Sequence, residues 1–265
     1  MTIILGFIIA TVVGLTGMGG GTFTTPALVL LLGLPAGEAV GTTMVFAAVL
    51  RLLAAPVYLV RQQVHGRYVL LLLAGAVPGL LAGTWLLHRM QGRSYTPVVL
   101  LAIGVMLAIS SAITFIPRLR RPHFARERKG WLSIIALPIG IETGFSSAGA
   151  GALGSMLLLN FSELMPVQVV GTDLVFGIVL AVIGSAFHLG WGSIDRAVLT
   201  QLLWGGVPGV LFGCALSRMF SGKRLRVAVA VVGIILGLQL VWTGGRSFAE
   251  QQKSHTLEAK RSVPQ

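Results

Sequence analysis

Most charged residues in this chain lie in short interruptions between apolar runs or in the C-terminal stretch. In the first half the runs occupy residues 3–16, 22–34, 36–60, 68–88 and 96–116; in the second they occupy 131–145, 152–161, 166–189, 198–217 and 225–243. The last three runs of each half are about 20 residues or more, enough to cross roughly 30 Å of hydrocarbon as helices. The first two are about 10–15 residues, or roughly 15–22 Å of helix, too short to span comfortably alone. They suit half-helices that meet inside a membrane around glycine-rich breaks at 17–21 and 149–151. The pattern predicts an all-α, polytopic integral membrane protein with about 8–10 membrane segments. The first 17 residues lack the basic stretch of a signal peptide and recur internally, so they are read as mature structure.

The recurrence is general. Shifted by 130 residues, the sequence matches itself without a gap: Gly14 falls on Gly144, Gly19 on Gly149, Gly21 on Gly151, Thr42 on Thr172, Pro78 on Pro208 and Gly83 on Gly213. Many matches are glycine or proline, so backbone geometry is repeated as well as hydrophobicity. The organisation expected is a first membrane repeat over 1–117, a basic loop over 118–130, a second repeat over 131–245 and a polar, disordered tail over 246–265. If each short pair of runs is a re-entrant hairpin, each half crosses an odd number of times and the halves are inverted. If each pair is one interrupted span, the halves are parallel. With the 118–129 loop on the cytoplasmic side, inversion puts Arg218, Lys223, Arg224 and Arg226 on that side too, which favours it.

Composition agrees with a membrane. Of the 265 residues, 55% are hydrophobic and 11% charged, against roughly 25% charged in soluble domains. The net charge of +12 raises nucleic acid as a partner. Six of the basic residues, however, lie between Arg118 and Lys129, as in a cytoplasmic loop. No nucleic-acid partner is expected. The lone Cys214 and the scattered His65, His88, His123, His188 and His255 offer no local metal-ligand spacing. No metal and no cofactor are expected.

Candidate chemistry gathers at the breaks. Gly17, Gly19, Gly20, Gly21 and Thr22 are echoed by Ser146, Ser147, Gly149 and Gly151. Glycines bring backbone close to a ligand, and a broken helix frees N–H groups with partial positive charge that attract anions. Tight helix crossing is the plainer account of the same glycines. Thr42 and Thr43, echoed by Thr172 and Asp173, are further candidates for ligand contact. A membrane threonine otherwise bonds its own helix. Arg51, Glu142 and Asp173 are isolated charges within apolar runs, and so candidates for charge pairing or proton coupling. Gly149, Gly151 and Gly154 also satisfy G-x-G-x-x-G, but without the strand–turn–helix setting of a dinucleotide site. Gly75, Gly79 and Gly83, repeated as Gly205, Gly209 and Gly213, form a small-xxx-small face for helix contact.

With these residues the chain resembles the TauE/SafE family of sulfite exporters. The carriers are Gly14, Gly17, Gly19, Gly20 and Gly21, then Pro26, Gly33, Pro35, Ala39, Gly41 and Thr42, with Gly144, Gly149, Gly151, Val170, Gly171 and Thr172 in the second half. The likeness covers about residues 1–245; the tail lies outside it, and Arg51 is not carried over from the family. The resemblance implies a two-repeat secondary transporter that moves sulfite, organosulfonates or related sulfur anions, usually outward.

The reading is a non-enzymatic, multi-pass transporter of a small sulfur-containing anion in a bacterial inner membrane, whose partners are the anion, the lipid bilayer and a proton as candidate coupling ion. No Walker A run appears. Export of an anion from a negative-inside cell is favoured by about 2.3 kcal/mol per charge per 100 mV, so ATP is not required. The rival readings are an anion channel, an uptake permease for another small anion, and a membrane assembly subunit with no transport of its own. A membrane enzyme would need a clustered catalytic set, which the sequence lacks. The oligomeric state is not legible.

Overall fold

The computed structural model describes residues 1–16, 20–59, 64–92, 95–113, 115, 130–162, 164–191, 193–216 and 222–261. These form helices and no strands: α1 (Thr2–Thr16), α2 (Gly21–Leu32), α3 (Ala36–Leu59), α4 (Gly66–Arg89), α5 (Thr96–Ile113), α6 (Gly130–Ser146), α7 (Gly149–Phe161), α8 (Pro166–Gly190), α9 (Arg196–Leu216) and α10 (Gly222–Arg261). Six are long and apolar enough to cross a membrane, namely α3, α4, α5, α8, α9 and α10. The shorter apolar helices are α1, α2, α6 and α7. Outward faces carry Leu70, Trp204, Phe212, Ile235 and Trp242, all exposed, which suits lipid contact.

Glycine decides how the helices pack, and the packing gives their directions. A methyl group at Gly75, Gly79 or Gly83 of α4 would run into the backbone carbonyl of Ser133, Leu137 or Ile141 of α6. Gly205, Gly209 and Gly213 of α9 stand in the same relation to Ile3, Phe7 and Thr11 of α1. Both registers ascend together, so α4 runs parallel to α6 and α9 parallel to α1. Each repeat therefore lends its first helix to the other repeat's small-residue face. Close backbone approach of this kind replaces the hydrophobic drive that lipid removes.

The repeat-equivalent helices run against each other. Gly184 of α8 meets Met44 of α3, and Gly177 meets Arg51; the numbers descend on one helix as they rise on the other. Likewise Gly244 of α10 meets Pro97 of α5, Gly237 meets Gly104, and Gly233 meets Ser111. Equivalent helices that are antiparallel require halves related by a two-fold axis lying in the membrane plane. The repeats are inverted, and the axis crosses α3 and α8 near Val49 and its repeat equivalent Val179.

α1–α2 and α6–α7 are then re-entrant hairpins. Gly20, just before α2, lies beside Leu50 in the middle of α3, while α2 ends three residues before α3 begins. So α2 runs back to the end at which α1 entered. The reversal into α3 uses Gly33 at φ +66°, a left-handed conformation open to glycine at little cost. With these directions, the links from α3 to α4, α5 to α6 and α9 to α10 fall at one end of the bundle. Arg61, the 118–129 cluster, Arg218, Lys223, Arg224 and Arg226 belong to those links or flank them.

The tail departs from the sequence expectation. Residues 246–261 are not disordered but continue α10, a helix of 40 residues. The stretch from Ala249 to Arg261 is rich in Ala, Glu, Gln, Lys and Leu and free of proline and glycine, so helix propensity carries the helix on after hydrophobicity ends.

Replacing Gly79 or Gly209 by Val should disrupt a parallel pair, costing about 1–3 kcal/mol or more, because the added carbons meet backbone that cannot turn aside. Gly66→Ala, with no atom within 4 Å, should cost little. Thermal unfolding of the purified variants in detergent checks this; equal midpoints for all three would contradict it.

Candidate functional site

The candidate site lies at the hairpin tips. The chain leaves α6 at Ser146 and turns at Ser147, a non-glycine residue at φ +63°. Local hydrogen bonds hold this turn. The Ser147 N–H donates to the Thr143 carbonyl at 2.8 Å, the Ser146 hydroxyl donates to the Glu142 carbonyl at 2.9 Å, and Ala148 N–H donates back to the Ser146 hydroxyl at 3.3 Å. α7 then starts from Ala148 and α2 from Gly20, neither of which has a capping side chain. Two helix starts, each with partial positive charge, thus lie inside the membrane layer.

The structure brings the two tips together. The Ser147 carbonyl occupies the space a side chain at Gly21 would need. The hydroxyls of Thr25 and Ser147 are 2.7 Å apart and hydrogen-bonded, across a separation of 122 residues. Thr22, Thr25, Ser146 and Ser147 are all buried. Ser111 of α5 and Thr22 close over Gly233 of α10. Beside the second tip, Glu142 is 8% exposed, and its Oε2 lies 3.1 Å from where a Cβ of Gly149 would stand. Its carboxyl shares a hydrogen bond with the Ser110 hydroxyl of α5. Thr25, Ser110 and Ser111 were not among the sequence candidates. Thr25 is the repeat equivalent of Ser155, and Ser110-Ser111 is a polar pair in an apolar span, so both left a trace in the sequence.

The other candidates are distributed differently. Gly17 and Gly19 lie outside the described residues. Gly20 and Gly151 are buried at their tips. Thr42 and Thr172 are not at the tips. Their hydroxyls accept from backbone N–H groups, Thr42 from Asp195 at 3.1 Å and Thr172 from His65 at 3.2 Å. Residues 65 and 195 are themselves repeat equivalents, so the same tie is made at both ends of the bundle. Thr42 precedes Leu50 by eight residues, about 12 Å of helix. Thr43 is fully buried, and its hydroxyl has no hydrogen-bond partner among the described residues.

The three charges separate into two groups. Asp173 accepts from the Ser155 hydroxyl of α7 at 2.6 Å and is the electrostatic partner of Arg51. The Arg51 guanidinium packs on the α8 backbone at Gly177. This group ties α3, α7 and α8 together two residues from the two-fold axis. Glu142 belongs instead to the tip of the second hairpin.

The geometry is that of two inverted repeats whose broken segments meet at a polar centre. A model of the family described as "Sulfite exporter TauE/SafE" matches residues 2–240. The chain belongs to the TauE/SafE sulfite exporter family. The match takes in both hairpins and five of the six long spans of this TauE/SafE protein, and ends at Leu240 within the sixth, Val227–Ala249. Curated relatives include the probable membrane transporter protein YjnA of Bacillus subtilis, 29% identical over 90% of this chain and 98% of its own length. YdhB and YunE of the same organism, also named probable membrane transporter proteins, are 25% and 23% identical, each over 91% of this chain. No solved structure matches.

Arg51→Ala should destabilise this TauE/SafE protein by about 3–5 kcal/mol, because it leaves Asp173 buried without its charge partner. Arg51→Met combined with Asp173→Asn should recover part of that loss, since both charges go together. Thermal unfolding of the single and double variants measures the coupling. Strict additivity would show that the pair does not interact.

Proposed function

We propose that this protein is a secondary transporter of a small sulfur oxyanion, sulfite or an organosulfonate, and that it works as an exporter in a bacterial inner membrane. The observation that carries the proposal is the convergence of two helix starts with the paired hydroxyls of Thr25 and Ser147, beside the buried Thr22 and Ser146, in one buried centre. Such a centre offers what an oxyanion needs: N–H and O–H donors, and partial positive charge without a fixed cation. Broken helices at the interface of inverted repeats are the usual construction for substrate sites in secondary transporters. Alternating access follows from rocking the hairpins about the axis near Val49 and Val179 while α5 and α10 hold the halves together. The family's description supports sulfite as substrate and outward movement. The gathering of basic links at one end of the bundle supports placing that end in the cytoplasm.

The test is counterflow of radiolabelled sulfite into proteoliposomes preloaded with unlabelled sulfite, with sulfonates as competitors. Wild-type protein should accumulate label transiently. Gly149→Leu should abolish the flux while the protein still inserts, since a leucine there meets Thr143 and the Glu142 carboxyl and fills the tip. Gly21→Ala should reduce it by forcing the tips apart. Absence of counterflow in wild type, with chloride or sulfate carried instead, would overturn the substrate assignment.

A further inference from the structure

We infer that the anion is carried together with one proton held on Glu142, so that a singly charged anion crosses electroneutrally and the transport step is a proton–anion symport. This rests on the tip centre being the anion site, and it adds the coupling ion and the charge class of the substrate.

The argument starts from position. Glu142 is buried, its Oε2 stands at the first residue of α7, and its Oε1 has no hydrogen-bond partner among the described residues. A carboxyl at this place shares the helix start that would hold the anion. Two negative charges in one low-dielectric site exclude each other, whereas a protonated carboxyl is neutral and can donate to an oxyanion. Ser110 of α5 hydrogen-bonds the carboxyl with its hydroxyl, a contact that an ionised Glu142 can accept once the proton and the anion have left.

Among the described residues the surroundings of Glu142 supply no balancing cation. From α5 the facing group is Ser110, from α7 it is Gly149, and from its own helix they are Thr143 and Ser146. α4 packs along α6 through Gly79, Leu80, Gly83 and Thr84, none of them titratable. On α8 the charge is Asp173, engaged with Ser155 and Arg51, and His188 has His88 as its electrostatic neighbour. No cation among the described residues is an electrostatic partner of Glu142. The repeat also makes the acid single. Val12 and Leu240 take the positions equivalent to Glu142 and Ser110, so the two-fold axis does not generate a second proton site.

The direction of coupling follows. Anion binding requires the proton, so both load on one side and leave on the other. For hydrogensulfite or a sulfonate the net charge moved is zero and the membrane potential does no work. Net export then requires an outward anion gradient larger than the inward proton gradient; otherwise the same cycle runs as uptake.

Methanesulfonate is the probe, because its single negative charge does not change with pH. Wild-type protein in lightly buffered detergent with a pH indicator, at alkaline pH where the carboxyl of the free protein is ionised, should take up about one proton per methanesulfonate bound. In proteoliposomes, labelled methanesulfonate should accumulate when a pH difference is imposed with the potential clamped, and should not respond to a potential at equal pH. Glu142→Gln is neutral at all pH values, so its flux should lose the response to the pH difference and gain one to the potential. Anion binding without proton uptake, or wild-type flux driven by potential alone, would overturn the proposal. Counterflow at equal pH separates the two levels: if counterflow persists without proton uptake, the transport reading stands and symport falls. If neither methanesulfonate nor sulfite shows counterflow, the transport reading falls and takes symport with it. Should the Gln variant not fold, the wild-type proton uptake decides the matter by itself.

Discussion

A helix that stops inside a bilayer leaves backbone N–H groups with no water to meet them, and this constraint organises the rest of the protein. The chain makes two such stops, at Gly20–Gly21 and at Ala148–Gly149, and buries them against each other. The glycine faces of α4 and α9 hold the entering helices α6 and α1 at backbone contact, which fixes the depth of each tip. The antiparallel pairs α3–α8 and α5–α10 set the two-fold relation that brings the tips to the same level. Loosening any of these contacts moves a tip, and moving a tip exposes polar backbone.

The same arrangement sorts the buried charges. Arg51 and Asp173 satisfy each other beside the axis, where the α3–α8 crossing excludes lipid and solvent. That pair, with Ser155, stiffens the seam on which the hairpins would turn. Glu142 lies apart from it, at a helix start and next to serine hydroxyls. One acid is thus structural in its contacts and the other faces the centre.

Much of this was legible in the sequence, for physical reasons that differ by feature. Hydrophobic run length read out the spans and the short hairpin arms, because lipid penalises every polar interruption. The 130-residue repeat and the basic links pointed to inversion, but the register of Gly184 on Met44 and Gly237 on Gly104 was needed to establish it. The breaks were visible as glycine and serine. Their mutual contact was not, since Thr25 and Ser147 are 122 residues apart and nothing local pairs them. Thr42 and Thr172 looked like ligand donors because they repeat; in the fold they repeat because each accepts from the start of a helix in the other half. From the sequence, Arg51 could pair with an anionic substrate, with Glu142 or with Asp173; the antiparallel crossing of α3 and α8 brings it to Asp173.

The central claim is that the two hairpin tips meet inside the membrane. It is tested most directly by placing cysteines at Thr25 and Ser147 in a chain with Cys214 replaced, and oxidising intact membranes. Contact predicts rapid formation of an intramolecular disulfide, or bridging by the shortest bifunctional thiol reagent, because the native hydroxyls are 2.7 Å apart. Separate labelling of both cysteines without any cross-link, in membranes where the double variant is folded, would contradict the account.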